Sequence, residues 1–167
     1  MNQEGYLVEW ATLYLRNRDA VRKSIVAMEV RGSRISVRHK DRVVPCIVAP
    51  ALGQARLEPG CTIVTFNSAE NFKALLDRWK SFVDSRATLV FVNPFSQPEE
   101  KWVVAAHLHD SVCDKSSLRQ GLKAMFGTVA VMSRADLDRL ASVHEESART
   151  GFFSSLSAEI TYKTVNK

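Results

Sequence analysis

Glycine, proline and cysteine are all scarce in this chain of 167 residues, at seven, five and three. The glycines nowhere cluster into a phosphate-cradling loop or a dinucleotide fingerprint, which argues against a nucleotide-dependent enzyme. The cysteines, Cys46, Cys61 and Cys113, are widely spaced, and no two form a CxxC pair. Neither a disulfide framework nor a zinc ribbon is therefore encoded locally. Cys46 and Cys61 sit in apolar, strand-like surroundings and read as buried thiols. No apolar run approaches the roughly 18 to 20 residues that cross a bilayer. The first residues lack the basic region and apolar core of a signal peptide, so a cytoplasmic location is expected. Also missing are a G-x-S-x-G elbow, a papain-like cysteine context and a suitably placed SxxK, which removes the common nucleophile motifs.

What is present is ordinary globular composition, with 46% hydrophobic and 25% charged residues. We read a single α+β domain over 1–151, followed by a tail, 152–167, expected either to add a strand at Ile160–Val165 or to stay mobile. The expected architecture is a mostly antiparallel sheet of five to seven strands with helices packed on it. Its order is an N-terminal helix, a three-stranded meander, then helix, strand, strand and helix.

The elements follow from periodicity. Leu7, Trp10, Ala11, Tyr14 and Leu15 recur at helical spacing and give an amphipathic helix from Tyr6 to about Asp19. From Ser24 the period is two, with strands at Ile25–Val30, Arg34–His39 and Val43–Val48 joined at Gly32-Ser33 and Lys40-Asp41. Pro45 places the third strand at an edge or a bulge, because proline cannot donate to a ladder. A loop from Pro50 to Gly60 leads to a short strand, Cys61–Phe66. Asn67 is expected to cap a long helix whose apolar face carries Phe72, Leu75, Leu76, Trp79, Phe82 and Val83. Ala87–Val92 and Trp102–His109 read as central strands, joined by an Asn93-Pro94-Phe95 turn and a polar loop. Ser116 to Phe126 reads as a capped helix, and Ser133 opens a final helix ending at Gly151.

Net charge is +5, and it is concentrated. Arg16, Arg18, Arg22, Lys23, Arg31, Arg34, Arg38, Lys40 and Arg42 face only Asp19, Glu29 and Asp41 over that stretch, which leaves the rest of the chain near neutral. Such an excess favours an anionic partner. Guanidinium forks match phosphate oxygens, and a β-ribbon can follow a nucleic-acid backbone. The leading expectation is thus a non-catalytic module that contacts the backbone of DNA or RNA through a basic β-hairpin. Arg22, Lys23, Arg31, Arg34, Arg38, Lys40 and Arg42 are its candidate residues. No aromatic motif of the single-strand-binding kind interleaves these charges.

Two other classes are open. Trp10, Trp79 and Trp102 are candidate anchors of a protein–protein assembly, such as a homo-oligomer. The His107-Leu108-His109-Asp110 stretch suggests a metal-dependent hydrolase. On a strand, its two imidazoles share one face about 7 Å apart, and Asp110 and Cys113 could complete a zinc site. Otherwise the histidines hydrogen-bond at a strand end while Asp114 or Ser116 caps the next helix. The order helix, three strands, helix, strand is similar to that of the nuclease fold carrying a PD-(D/E)xK signature. The motif does not follow: Glu29-Val30-Arg31 has arginine where lysine belongs. The likeness is one of element order and implies no activity.

Overall fold

The computed structural model describes residues 3–95 and 100–140. The expected loop between Phe95 and Glu100, the second half of the last helix and the C-terminal strand lie outside these residues or only border them.

The chain runs α1 (Gln3–Asp19), β1 (Ile25–Arg31), β2 (Arg34–His39), β3 (Val43–Val48), β4 (Thr62–Phe66), α2 (Ala69–Asp77), α3 (Trp79–Asp84), β5 (Thr88–Asn93), β6 (Glu100–Ala105), α4 (Ala106–Val112) and α5 (Lys115–Phe126). Residues 134–140 are also helical. The six strands form one sheet in sequence order.

The sheet is mixed, which corrects the mostly antiparallel expectation. β1, β2 and β3 form the antiparallel meander, and β5 pairs antiparallel with β6. β3–β4 and β4–β5 are parallel. The reason is burial. β4 and β5 are apolar on both faces, with Ile63, Leu89 and Phe91 facing one core and Val64, Phe66, Val90 and Val92 the other. Strands buried on both sides suit crossover connections, and α2 with α3 supplies one between β4 and β5.

Helices therefore cover both sides. α1 places Leu7, Trp10, Ala11 and Leu15 on Ile35, Val37, Cys46 and Val48. On the opposite side α2 to α5 cover Ile63, Leu89, Phe91, Trp102 and Val104, with the Phe91 and Trp102 rings stacked at 4.2 Å. The side chains of Trp10 and Trp102 are thus core, whereas Trp79 is half-buried.

Local expectations are refined in three places. Pro45 lies in an interior strand. Val48 N–H reaches back to Ser33 O and Ala49 N–H reaches Val64 O, so by alternation the Pro45 nitrogen faces the β4 side. Pairing with β4 begins only at Cys46, so the missing N–H costs no ladder bond. Ser68, not Asn67, caps α2 by accepting from Asn71 N–H. Asn67 is instead buried, accepting from Trp102 Nε1 at 2.8 Å and donating to Val129 O at 3.0 Å. Finally, the long helix breaks at Arg78, whose guanidinium turns to the carbonyls of Leu52, Gly53 and Ala55. Ser133 and Asp136 do bond reciprocally at the start of the helical run 134–140, as a capping pair.

Candidate functional site

The β1–β2 ribbon forms one edge of the sheet with one face packed on the α1 core, and its cations separate by both face and end. In β2, Ile35 and Val37 are buried under α1 while Arg34 and Arg38 project to the opposite face. β2 is six residues long, about 16 Å between its terminal residues. Residues clustered in sequence are thus spread along a rod.

At one end of it the charges are neutralised. Arg31 pairs with Glu29 at 2.6 Å. Arg34 donates from Nε and Nη2 to the two carboxylate oxygens of Glu58, each at 2.8 Å, and from Nη1 to Ser36 Oγ. This fork raises the arginine's affinity for its proton and holds the Glu58 carboxyl below the usual glutamate range. Arg38 is exposed on the same face.

At the other end the chain builds a cavity of about 720 Å³ between the C-terminus of α1 and the turn joining β2 to β3. Arg18 comes from the end of α1, Arg22 and Lys23 from its exit, and Lys40 and Arg42 from the β2–β3 turn. Leu15, Ile25, Val37, Val44 and Cys46 supply its apolar wall, with the Cys46 thiol pushed up to about 12 by burial. The structure thus brings together Arg22, Lys23, Lys40 and Arg42 from the sequence-derived set, and adds Arg18 and His39. Arg31, Arg34 and Arg38 do not line this cavity.

One carboxylate organises the wall. Asp19 Oδ1 accepts from Ser24 N–H at 3.0 Å and Ser24 Oγ–H at 2.6 Å, and Oδ2 accepts from Ile25 N–H at 2.8 Å. These bonds, led by that from the Ser24 hydroxyl, lower the Asp19 pKa, and the nearby His39 adds to the effect. Because an ionised carboxylate only accepts, the Ser24 proton points to Asp19. His39 Nδ1, 3.1 Å from the same hydroxyl oxygen, must then donate to it, which leaves Nε2 as the other ring position. The hydroxyl is consequently not activated by the imidazole as a nucleophile would be. Asp19 also fixes the backbone: Lys23 N–H bonds Asp19 O at 2.7 Å, and Lys23 takes a left-handed conformation with φ of 49°. That closes α1 in the manner of an αL cap, in a position where glycine is the common occupant.

The histidine-rich stretch has a different geometry from the one expected. β6 ends at Ala105, and His107, His109 and Asp110 lie on α4, with Cys113 its C-terminal cap. Two residues apart on a helix, the imidazoles point about 200° apart rather than sharing a face. His109 Nδ1 is 2.9 Å from Ala105 O, and Asp110 accepts from Trp79 Nε1 at 2.7 Å. The Nδ1 of His107 is buried without a hydrogen-bond partner among the described residues. Asp114 caps α5, accepting from the N–H and hydroxyl groups of Ser116 and Ser117, and these bonds hold its carboxyl far below the usual aspartate range. Among the described residues no three His, Cys, Asp or Glu side chains converge as a metal cage.

The polar groups at the C-terminal ends of β4 and β5 are spent on the fold itself. Asn71 accepts from Leu52 N–H and donates to Pro50 O and Thr65 Oγ1, and Asn93 donates to Ala130 O. Among the described residues, no helix is long and apolar enough to cross a membrane.

No family model, curated protein or solved structure matches this chain.

Proposed function

We propose that this protein binds nucleic acid without catalysing a reaction on it, taking backbone phosphate in the basic cavity at the end of α1. The observation that carries this reading is the convergence of Arg18, Arg22, Lys23, Lys40 and Arg42, from separate parts of the chain, on one hollow. Of the two carboxylates in that wall, Asp19 is already occupied by Ser24 and Ile25, so its charge is partly spent. Forked guanidinium donors and the two ammonium groups of Lys23 and Lys40 around a concavity suit phosphate oxygens. Arg31 and Arg34, by contrast, would have to give up Glu29 and Glu58 first. A non-catalytic role is supported by the commitment of the Ser24 proton and of His39 Nδ1 to the Asp19 network.

The test is equilibrium binding of a labelled oligonucleotide, by fluorescence anisotropy, across a range of salt. Each phosphate met by a cation contributes roughly 0.7 to 0.9 to the slope of log K against log salt. The Arg22→Gln/Lys23→Gln/Lys40→Gln/Arg42→Gln variant should flatten that slope by about 3. Arg31→Gln/Arg34→Gln should leave it within about one unit of wild type. Absence of binding to any DNA or RNA at low salt would sink the reading.

A further inference from the structure

We infer that the ligand of this surface is a single strand rather than a duplex, with an unpaired base seated beside the phosphate cavity. The inference rests on the phosphate reading above and adds the class of nucleic acid. A second hollow, of about 430 Å³, lies along α1 and is lined by Trp10, Leu13, Tyr14, Asn17, Arg18 and Lys101. Arg18 borders both hollows, so they adjoin.

Their chemistry differs in a way that matches a polynucleotide. The first hollow is rimmed by cations. The second sets an aromatic and apolar wall beside Asn17, Arg18 and Lys101: the Trp10 and Tyr14 rings stack with centroids 5.2 Å apart, and Leu13 is 54% exposed. Lys101 Nζ stands 5.5 Å from the Tyr14 ring centroid, a cation–π contact that a base stacking on that face would replace. Asn17, an amide with both donors and an acceptor, also lines this hollow. Leu13, Tyr14, Asn17 and Arg18 fall at i, i+1, i+4 and i+5, which puts them along one side of the last turns of α1.

A strand alternates phosphate with a flat apolar base, and single-strand binders combine a cationic groove with aromatic contacts. In a duplex the bases are stacked inward, and a convex cylinder presents none of them to a hollow beside its phosphates. An aromatic and apolar wall next to a cationic hollow therefore suits a base that has left the stack.

The experiment compares the full chain with an oligothymidylate and an oligouridylate of about twelve nucleotides, and with a duplex of the same length, each across salt. The strand, in either sugar chemistry, should bind at least about tenfold more tightly than the duplex. Tyr14→Ala and Leu13→Ser should each weaken strand binding several-fold at every salt concentration while leaving the salt slope unchanged, because stacking releases no counterions. Leu13 is exposed, so Leu13→Ser keeps the test valid if Tyr14→Ala fails to fold. Equal or tighter binding of the duplex, or a Leu13→Ser variant with wild-type strand affinity, overturns this inference and leaves the phosphate reading standing. Failure of every oligonucleotide to bind removes both.

Discussion

The β4–β5 pair and the β1–β2 ribbon belong to one sheet but are under opposite constraints. In β4 and β5 nearly every side chain is buried, and neighbours on either side of the strand face different cores. In β2 burial alternates, and in β1 no residue is fully buried. The central pair carries the stability and tolerates no charge on either face. The ribbon is held by Ile35 and Val37, with Ile25 and Met28 partly buried against the same core, so its outward positions and its turns are free to carry cations. Where the sheet stops being covered, the chain can afford a charged cavity.

The largest effect should come from the central pair. Phe91 is fully buried and stacked on Trp102, so Phe91→Ala removes a ring from the middle of one core. A loss of about 3 to 5 kcal/mol is expected from transfer and cavity terms together. Urea unfolding measures it. Oligonucleotide affinity per folded molecule should not change, because Phe91 lies on the side of the sheet opposite α1. A variant that loses affinity while folded would break the separation between the two regions.

How much of this was legible in the sequence differs between the regions for a physical reason. The apolar stripe of α1, the three strands of the meander with their turns and the helix following Asp114 were all readable, because each depends on local spacing and local caps. The direction of β4 and β5 was not. Ile63 and Thr65 alternate with Val64 and Phe66, and a short run buried on both faces has the same pattern whether its neighbours run parallel or antiparallel. Trp102 to His109 misled for a related reason. Over so few residues, period two and period 3.6 both fit, and the switch to helix falls between Ala105 and Ala106, where neither residue signals it. Leu108 is 56% exposed on α4. The basic stretch was visible as a charge excess, but its division into a neutralised end and a converging end was not. Glu58, which occupies Arg34, is 24 positions away, and the exit of α1 meets the β2–β3 turn only in the folded chain.

A smaller effect is expected at the junction of the two regions' concerns, where Asp19 holds Ser24, Ile25 and, through Ser24, His39. Its pKa is lowered in the folded chain, first by the Ser24 hydroxyl. A depressed carboxylate contributes stability above its unfolded pKa, near 4, and loses it as pH falls through the lower folded value. Asp19→Asn should therefore lower the urea midpoint at neutral pH, and the gap to wild type should narrow below about pH 4. A gap that stays constant into acid would mean that the charge of Asp19 does not matter to the wall.

The smallest effect sharpens the comparison most, because two residues share one backbone state and differ only in location. Lys23 and Arg86 both take positive φ, at 49° and 54°. Each closes a helix: Lys23 N–H bonds Asp19 O, while after α3 Arg86 N–H bonds Val83 O and Ala87 N–H bonds Phe82 O. A side chain in this conformation costs roughly 1 kcal/mol, and glycine removes that cost at some loss of unfolded-state restriction. Lys23→Gly and Arg86→Gly should thus each raise stability by a similar small amount, about 0.5 kcal/mol. Only Lys23 lines the cavity. If the cavity takes phosphate, Lys23→Gly should weaken oligonucleotide binding and flatten its salt slope by somewhat under one unit, whereas Arg86→Gly should leave both unchanged. Equal binding losses in the two variants would mean that general positive charge, not the cavity, attracts the ligand. Equal retention would mean that Lys23 keeps its strained backbone for a reason unconnected with phosphate.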